Sequence, residues 1–169
     1  MNIILEGPDG GGKSTLAAAM SAITCMPIVP GEGPAKSPSE INERATRMLA
    51  LDWVIFDRHP VISSHVYERV KNRGWTVDYE LQRRFYQSDC VIIYCKPGIN
   101  EAIKRMTFDP TEDEAHVEMV KRKYNEIYQR YKDWANMRAD FIYRIGRSGP
   151  VEHFAHGVRA FIDQEQRAA

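Results

Sequence analysis

The sequence predicts one α/β domain built on a parallel sheet, and three observations carry that expectation. Five short apolar segments read as buried strands separated by helical stretches, which is the order of a parallel sheet covered on both faces. The chain has 169 residues, enough to bury one core without disulfide or metal staples. Hydrophobic residues make up 43% and charged residues 27%, as in an ordinary folded domain, which excludes disordered and fibrous classes.

Asn2, Ile3, Ile4, Leu5 and Glu6 form a short apolar run ending in glycines and read as the first strand. Helix formers, among them Ala17, Ala18, Ala19 and Met20, extend over 13–24. A second strand is expected over 26–29, and Pro30, Gly31, Glu32, Gly33 and Pro34 make a loop. Ser37, Pro38, Ser39 and Glu40 have the form of a capping box with proline at the first helical position, so a helix should run on to about residue 51. Trp53, Val54, Ile55 and Phe56 read as the third strand, ended by Asp57. Helices are expected over 61–72 and 78–87.

Cys90–Cys95 is the clearest central strand, and its two cysteines, at odd spacing, should face opposite sides of the sheet. Pro97 and Gly98 end it, a helix to about 106 follows, and the polar stretch 107–114 reads as a loop. Val117, Val120, Tyr124, Ile127, Tyr128, Tyr131 and Trp134 repeat at helical spacing, with the aromatics read as core. A last strand over 141–145, a helix over 150–164 and a frayed tail complete the chain.

Lys plus Arg and Asp plus Glu both number 23, and zero net charge is not the footprint of a general nucleic-acid binder. No apolar run approaches the ~20 residues that span a membrane, and the start lacks the regions of a signal peptide. A cytoplasmic location is expected, the host's if the chain is viral. Cys25, Cys90 and Cys95 form no CxxC pair and read as reduced, buried side chains. The five histidines show no zinc-binding pattern.

Gly7, Pro8, Asp9, Gly10, Gly11, Gly12, Lys13 and Ser14 match G-x-x-x-x-G-K-[ST] between a strand and a helix, the context that the motif needs. The glycines let the backbone wrap around phosphate oxygens, and the helix N-terminus attracts the anion. Lys13 suits the β and γ phosphates and Ser14 suits Mg²⁺, so the expected ligand is ATP with magnesium. Thr15 supports the helix start or the α-phosphate. Asp57 and Arg58 arrive at the C-terminal edge of the sheet, where ligands bind in such folds. There Asp57 would hold magnesium through water or accept a proton from the attacking hydroxyl, and Arg58 would bind a negative group of the acceptor. A carboxylate inside a phosphate loop is electrostatically costly, so Asp9 either meets a hydroxyl of the acceptor or caps its own loop.

Residues 5–15 resemble the phosphate loop of thymidylate kinases. The resemblance continues in Pro30 and Gly31, in Asp57 and Arg58 followed by Ser63, Ser64 and Tyr67, in the central strand over 89–94 and in the helix over 117–131. It implies a three-layer αβα P-loop kinase over 1–169, with a five-stranded parallel sheet and a lid at about 107–114. The implied activity is transfer of the γ-phosphoryl of Mg-ATP to a deoxynucleoside monophosphate or related deoxynucleotide. By the same resemblance Asp9, Arg58, His59, Ser63 and Tyr67 contact the acceptor. Arg105 approaches ATP as a catalytic residue beside Lys13, Asp9 and Asp57, and Arg147 lies in the segment bordering the adenine. Members are commonly dimers, which extends to this chain as an expectation.

The sequence also departs from that family. It is shorter, it lacks the base-gripping segment between Met48 and Trp53, and its lid is acidic and without arginine. Loss of that segment opens a second reading. In it the acceptor is a hydroxyl on DNA, such as a 5-hydroxymethyl pyrimidine base or a strand end, and Lys71, Arg73, Arg83, Arg84, Trp75 and Tyr79 are its contacts. A third reading, a nucleotide-dependent switch, has no sequence signature for a loop that reads the γ-phosphate.

Overall fold

The computed structural model describes residues 1–106 and 114–168, the side chain of Arg105 excepted. Thirteen elements follow one another: β1 (Asn2–Glu6), α1 (Lys13–Thr24), β2 (Ile28–Val29), α2 (Pro38–Leu49), β3 (Ile55–Asp57), α3 (Pro60–Val70), α4 (Tyr79–Gln87), β4 (Cys90–Cys95), α5 (Ile99–Arg105), α6 (Glu114–Arg122), α7 (Tyr124–Arg138), β5 (Phe141–Tyr143) and α8 (Val151–Ala168). The strands form one sheet in the order β2-β3-β1-β4-β5, and every pairing is parallel. This is the α/β class and the five-stranded parallel sheet that the alternation of segments predicts.

The period-two alternation of β1 sorts the core. Ile3 and Leu5 pack with Leu16, Met20, Ile55, Val91, Ile93, Val158 and Ile162, between the sheet and the layer of α1 and α8. Ile4 packs on the other face with Phe56, Ile92, Tyr94, Ile62, Val66, Phe85, Ile127 and Tyr131, under α2, α3, α4 and α7. Cys90 and Cys95 fall on opposite sides accordingly. Burying each of these aliphatic side chains contributes about 1.5–3 kcal/mol. Glu6 shares the parity of Ile4, so the last residue of β1 points a carboxylate under α3 and α7.

Local chemistry sets the helix starts. Ser37 caps α2 by accepting from the Glu40 N–H (3.1 Å), with Pro38 at the first position. The Glu40 carboxylate closes the motif one residue earlier than a capping box would, accepting from the Lys36 N–H (2.7 Å). Helix α1 instead starts at Gly12 with no side-chain cap and no acid in its first turn, which leaves its N-terminal donors for an anion.

Several expectations are corrected. Cys25 is exposed rather than buried, because it ends α1 in the left-handed region (φ +58°) with its backbone turned out of the helix. The long aromatic helix is two helices broken at Lys123, and α8 continues to Ala168. The third strand starts at Ile55, since Trp53 adopts φ +58° and cannot extend it. Residues 107–113 of the expected lid lie outside the described residues, as does the side chain of Arg105.

Candidate active site

The site forms at the C-terminal ends of β1, β3 and β4, where three backbone turns meet. After β1 the chain enters residues 7–12 through Gly7 at φ +147°, pressed against β4. A Cβ there would lie 2.3 Å from the Cys95 carbonyl oxygen, so only glycine fits. Lys13 opens α1 and folds back over the loop, donating from Nζ to the carbonyls of Gly7 (3.1 Å) and Pro8 (2.9 Å). Burial and the nearby Arg58 lower its pKa, while Asp9 and Asp57 oppose that shift.

Asp57 ends β3, and its Oδ2 accepts from the Ser14 Oγ at 2.7 Å. One carboxylate and one hydroxyl, both hard oxygen donors, therefore sit together at the mouth of the loop. That pair fits Mg²⁺, which commonly takes one or two protein oxygens and completes its shell with phosphates and water. Among the described residues there is no group of three or more His, Cys, Asp or Glu that could hold a metal by itself.

Asp9 and Arg58 face one another across the loop. The guanidinium Nη2 donates to Asp9 Oδ1, and Nη1 donates to the Gly7 carbonyl and to the Tyr131 hydroxyl, each at 2.9 Å. The Tyr67 hydroxyl donates to Asp9 Oδ2 (2.9 Å), and the Arg58 guanidinium lies 5.2 Å from the Tyr67 ring centre. Burial alone would raise the Asp9 pKa, but the Arg58 and Lys13 charges outweigh it and hold the carboxyl well below its usual range. Ser63 lies one turn before Tyr67 on the same helix, its hydroxyl donating to the His59 carbonyl (3.1 Å). Gly31 of the loop after β2 packs against Arg58 and the Asp57 carbonyl, closing the far side.

His59 is corrected. It is 1% exposed and lies in the core, edge-on to Phe56 and stacked on Phe85, instead of lining the acceptor side. Its Nδ1 caps α3 by accepting from the Val61 N–H (3.3 Å), and burial lowers its pKa to about 3. On the other side of the loop, Gly10, Gly12, Thr15, Tyr143 and Ile145 line a cleft of about 380 Å³. Arg147 is not among those lining residues; it is exposed in the turn that follows β5.

Three residues that sequence reasoning passed over complete the site. Glu6 is fully buried, and its Oε1 accepts from the His59 N–H (2.6 Å) while its Oε2 accepts from the Tyr131 hydroxyl (3.0 Å). Tyr124, two turns before Tyr131 on α7, donates to the Asp9 carbonyl (2.7 Å). These tyrosines are core by burial, as expected, but their hydroxyls reach the phosphate loop. The signal was their seven-residue spacing, which puts both on one helix face.

Three of the four cations singled out for DNA are held by carboxylates. Lys71 and Arg73 pair with the buried Glu68 (3.5 and 3.3 Å), and Arg83 pairs with Glu80 (2.6 Å). Arg73 also lies over the Trp75 ring. Among the described residues no helix is long and apolar enough to cross a membrane.

No family model matches the chain. It is 31% identical over 134 residues to the SPbeta prophage-derived protein YorR of Bacillus subtilis strain 168, across 74% of this chain and 80% of YorR. The crystal structure of YorR in complex with phosphorylated GDP superposes with a TM-score of 0.72 over 99% of this chain and 98% of that one, at 21% identity. A thymidylate kinase from Candida albicans matches with a TM-score of 0.65 at 14% identity, over 98% and 92% of the two chains. A deoxyadenosine kinase from M. mycoides with dCMP and dCDP bound matches with a TM-score of 0.60 at 16% identity, over 97% and 99%. The likeness thus spans kinases of several substrates, and thymidylate kinases are one group among them. With its kinship to YorR, its phosphate loop and its sheet order, the chain belongs to the YorR family and shares the fold of the P-loop kinases on which it superposes.

Proposed function

We propose that this protein transfers the γ-phosphoryl group of Mg-ATP to a deoxynucleoside monophosphate or a related deoxynucleotide. The observation that carries this reading is the meeting of two half-sites across one loop, Lys13 with Ser14 and Asp57 on one side and Asp9 with Arg58 and Tyr67 on the other. The nucleotide complexes of YorR and of the deoxyadenosine kinase support a nucleotide ligand.

The roles follow from the donors available. The loop amides and the uncapped start of α1 receive the phosphates of ATP, and Lys13 exchanges its two carbonyl partners for phosphate oxygens. Ser14 and Asp57 would hold Mg²⁺, which would supply positive charge against the phosphates. Asp9, held by Tyr67, accepts from a hydroxyl of the acceptor, and Arg58 takes the acceptor phosphate, one oxygen of which attacks. That oxygen forms a bond to the γ-phosphorus as the bond to the β-phosphate oxygen breaks, and ADP leaves. The cleft between Gly12, Tyr143 and Ile145 receives the adenine. Arg105 and Arg147 are assigned to ATP by resemblance, and the enzyme is read as one domain over 1–169.

The test is ADP formation from Mg-ATP against deoxynucleoside monophosphates, free nucleosides, and duplex DNA with and without 5-hydroxymethyl bases. Turnover on a monophosphate is expected. Turnover on DNA alone would replace this acceptor with a polymer, and turnover on none would overturn the reading. Lys13→Ala should lower kcat by about 10²-fold or more. A variant that kept nearly full turnover would remove the phosphate loop from the chemistry.

A further inference from the structure

We propose that Glu6 is a positioning residue for Arg58, acting at once through Tyr131 and through the backbone of His59. The inference rests on the role of Arg58 proposed above and deepens it.

The backbone of Arg58 is unusual. It adopts φ +79°, a region that costs a residue with a side chain about 1–2 kcal/mol and persists only where the surroundings hold it. Two hydrogen bonds pin the peptides on either side. The Arg58 N–H donates to the Leu5 carbonyl (3.0 Å), and the following N–H, that of His59, donates to Glu6 Oε1 (2.6 Å). The strained turn is thus clamped between consecutive residues of the central strand.

The other carboxylate oxygen controls the far end of the same side chain. Glu6 Oε2 accepts from the Tyr131 hydroxyl, so the hydroxyl oxygen is left to accept from Arg58 Nη1. Tyr131 has one proton, and the carboxylate decides where it points. Without that acceptor the hydroxyl could turn its proton toward the guanidinium and repel it. The result is an arginine fixed at its backbone and at its tip, with Nη2 aimed across the loop at Asp9. A fully buried carboxylate is expensive, and an apolar residue at the end of β1 would cost far less. Aiming Arg58 is what the carboxylate adds.

Tyr131→Phe keeps the packing and removes the bridge, while Glu6→Gln keeps the shape and alters the acceptor. Both should lower kcat/KM for the acceptor by about 10- to 100-fold, the worth of a hydrogen bond to a charged group, with KM for ATP held within about twofold. A purely structural Glu6 would lower stability and leave the acceptor kinetics unchanged, and that result would overturn the proposal.

A second measurement needs no turnover. In arginine-labelled protein the Arg58 guanidinium N–H signals should exchange with water at least about tenfold faster in Tyr131→Phe than in the wild type. Unchanged exchange would overturn the proposal even if the enzyme is active. A wild type that phosphorylates no acceptor yet shows the faster exchange in the variant would overturn the proposed function and leave the positioning intact.

Discussion

Glu6 and His59 titrate in one pH range with opposite effects on stability, and removing either should expose the other. Burial raises the Glu6 carboxyl from 4.5 to about 7 against the pull of Arg58, the His59 N–H, Lys13 and Tyr131. Burial lowers the His59 imidazole from 6.5 to about 3. A carboxyl whose pKa is higher in the folded state contributes fully at low pH and loses that contribution as pH rises through 7. An imidazole whose pKa is depressed contributes fully above 6.5 and loses that contribution as pH falls toward 3. From pH 8 down to pH 5, Glu6 therefore adds about 2–3 kcal/mol and His59 removes about 2 kcal/mol, so the two largely cancel. In Glu6→Gln the histidine is left without that counterweight, and unfolding free energy should drop by about 2–3 kcal/mol between the same limits, relative to the wild type. In His59→Asn, which keeps a side-chain acceptor for the α3 cap, it should rise by a similar amount. Urea titrations followed by circular dichroism at pH 8, 6.5 and 5 measure all three proteins. Parallel pH profiles for the wild type and both variants would refute the reasoning.

Further outcomes follow from single features. Cys25→Gly should raise stability by about 0.5–1 kcal/mol, since glycine takes the φ +58° cap without strain, and the thermal midpoint reads this directly. Gly7→Ala should cost about 2 kcal/mol or more and abolish nucleotide binding, because the new methyl group meets the Cys95 carbonyl; calorimetry with ATP checks both. Ser14→Ala and Asp57→Asn should each raise the magnesium concentration for half-maximal turnover by about tenfold, read from a magnesium titration at saturating ATP.

The sheet was legible because its signals are local. An apolar run of the right length with turn residues at its ends, repeated five times between helical stretches, leaves few topologies open. The phosphate loop was legible for the same reason, being eight consecutive residues. Glu6, Tyr124 and Tyr131 were not, since their partners lie 53, 115 and 125 positions away along the chain. His59 was misplaced because its neighbour Arg58 turns toward the loop and the chain then reverses. The left-handed φ of Arg58 sends the next side chain into the core, and no residue type at position 58 announces that turn. The break at Lys123 was hidden because the apolar spacing runs through it without a change of phase.

The carbonyl contacts of Lys13 bear on how this loop would meet the proposed ligand. Its ammonium binds two carbonyls of the segment to which the proposed function assigns the phosphates. The lysine therefore acts as an internal tether that draws the loop in on itself. Ordering of those residues is charged to folding rather than to binding, and an incoming phosphate exchanges one set of oxygens for another around a cation that barely travels. A loop so tethered should discriminate by charge more than by shape. Triphosphate, diphosphate and even inorganic pyrophosphate would compete for the same ammonium, ranked by how well each replaces two neutral carbonyls with anionic oxygens.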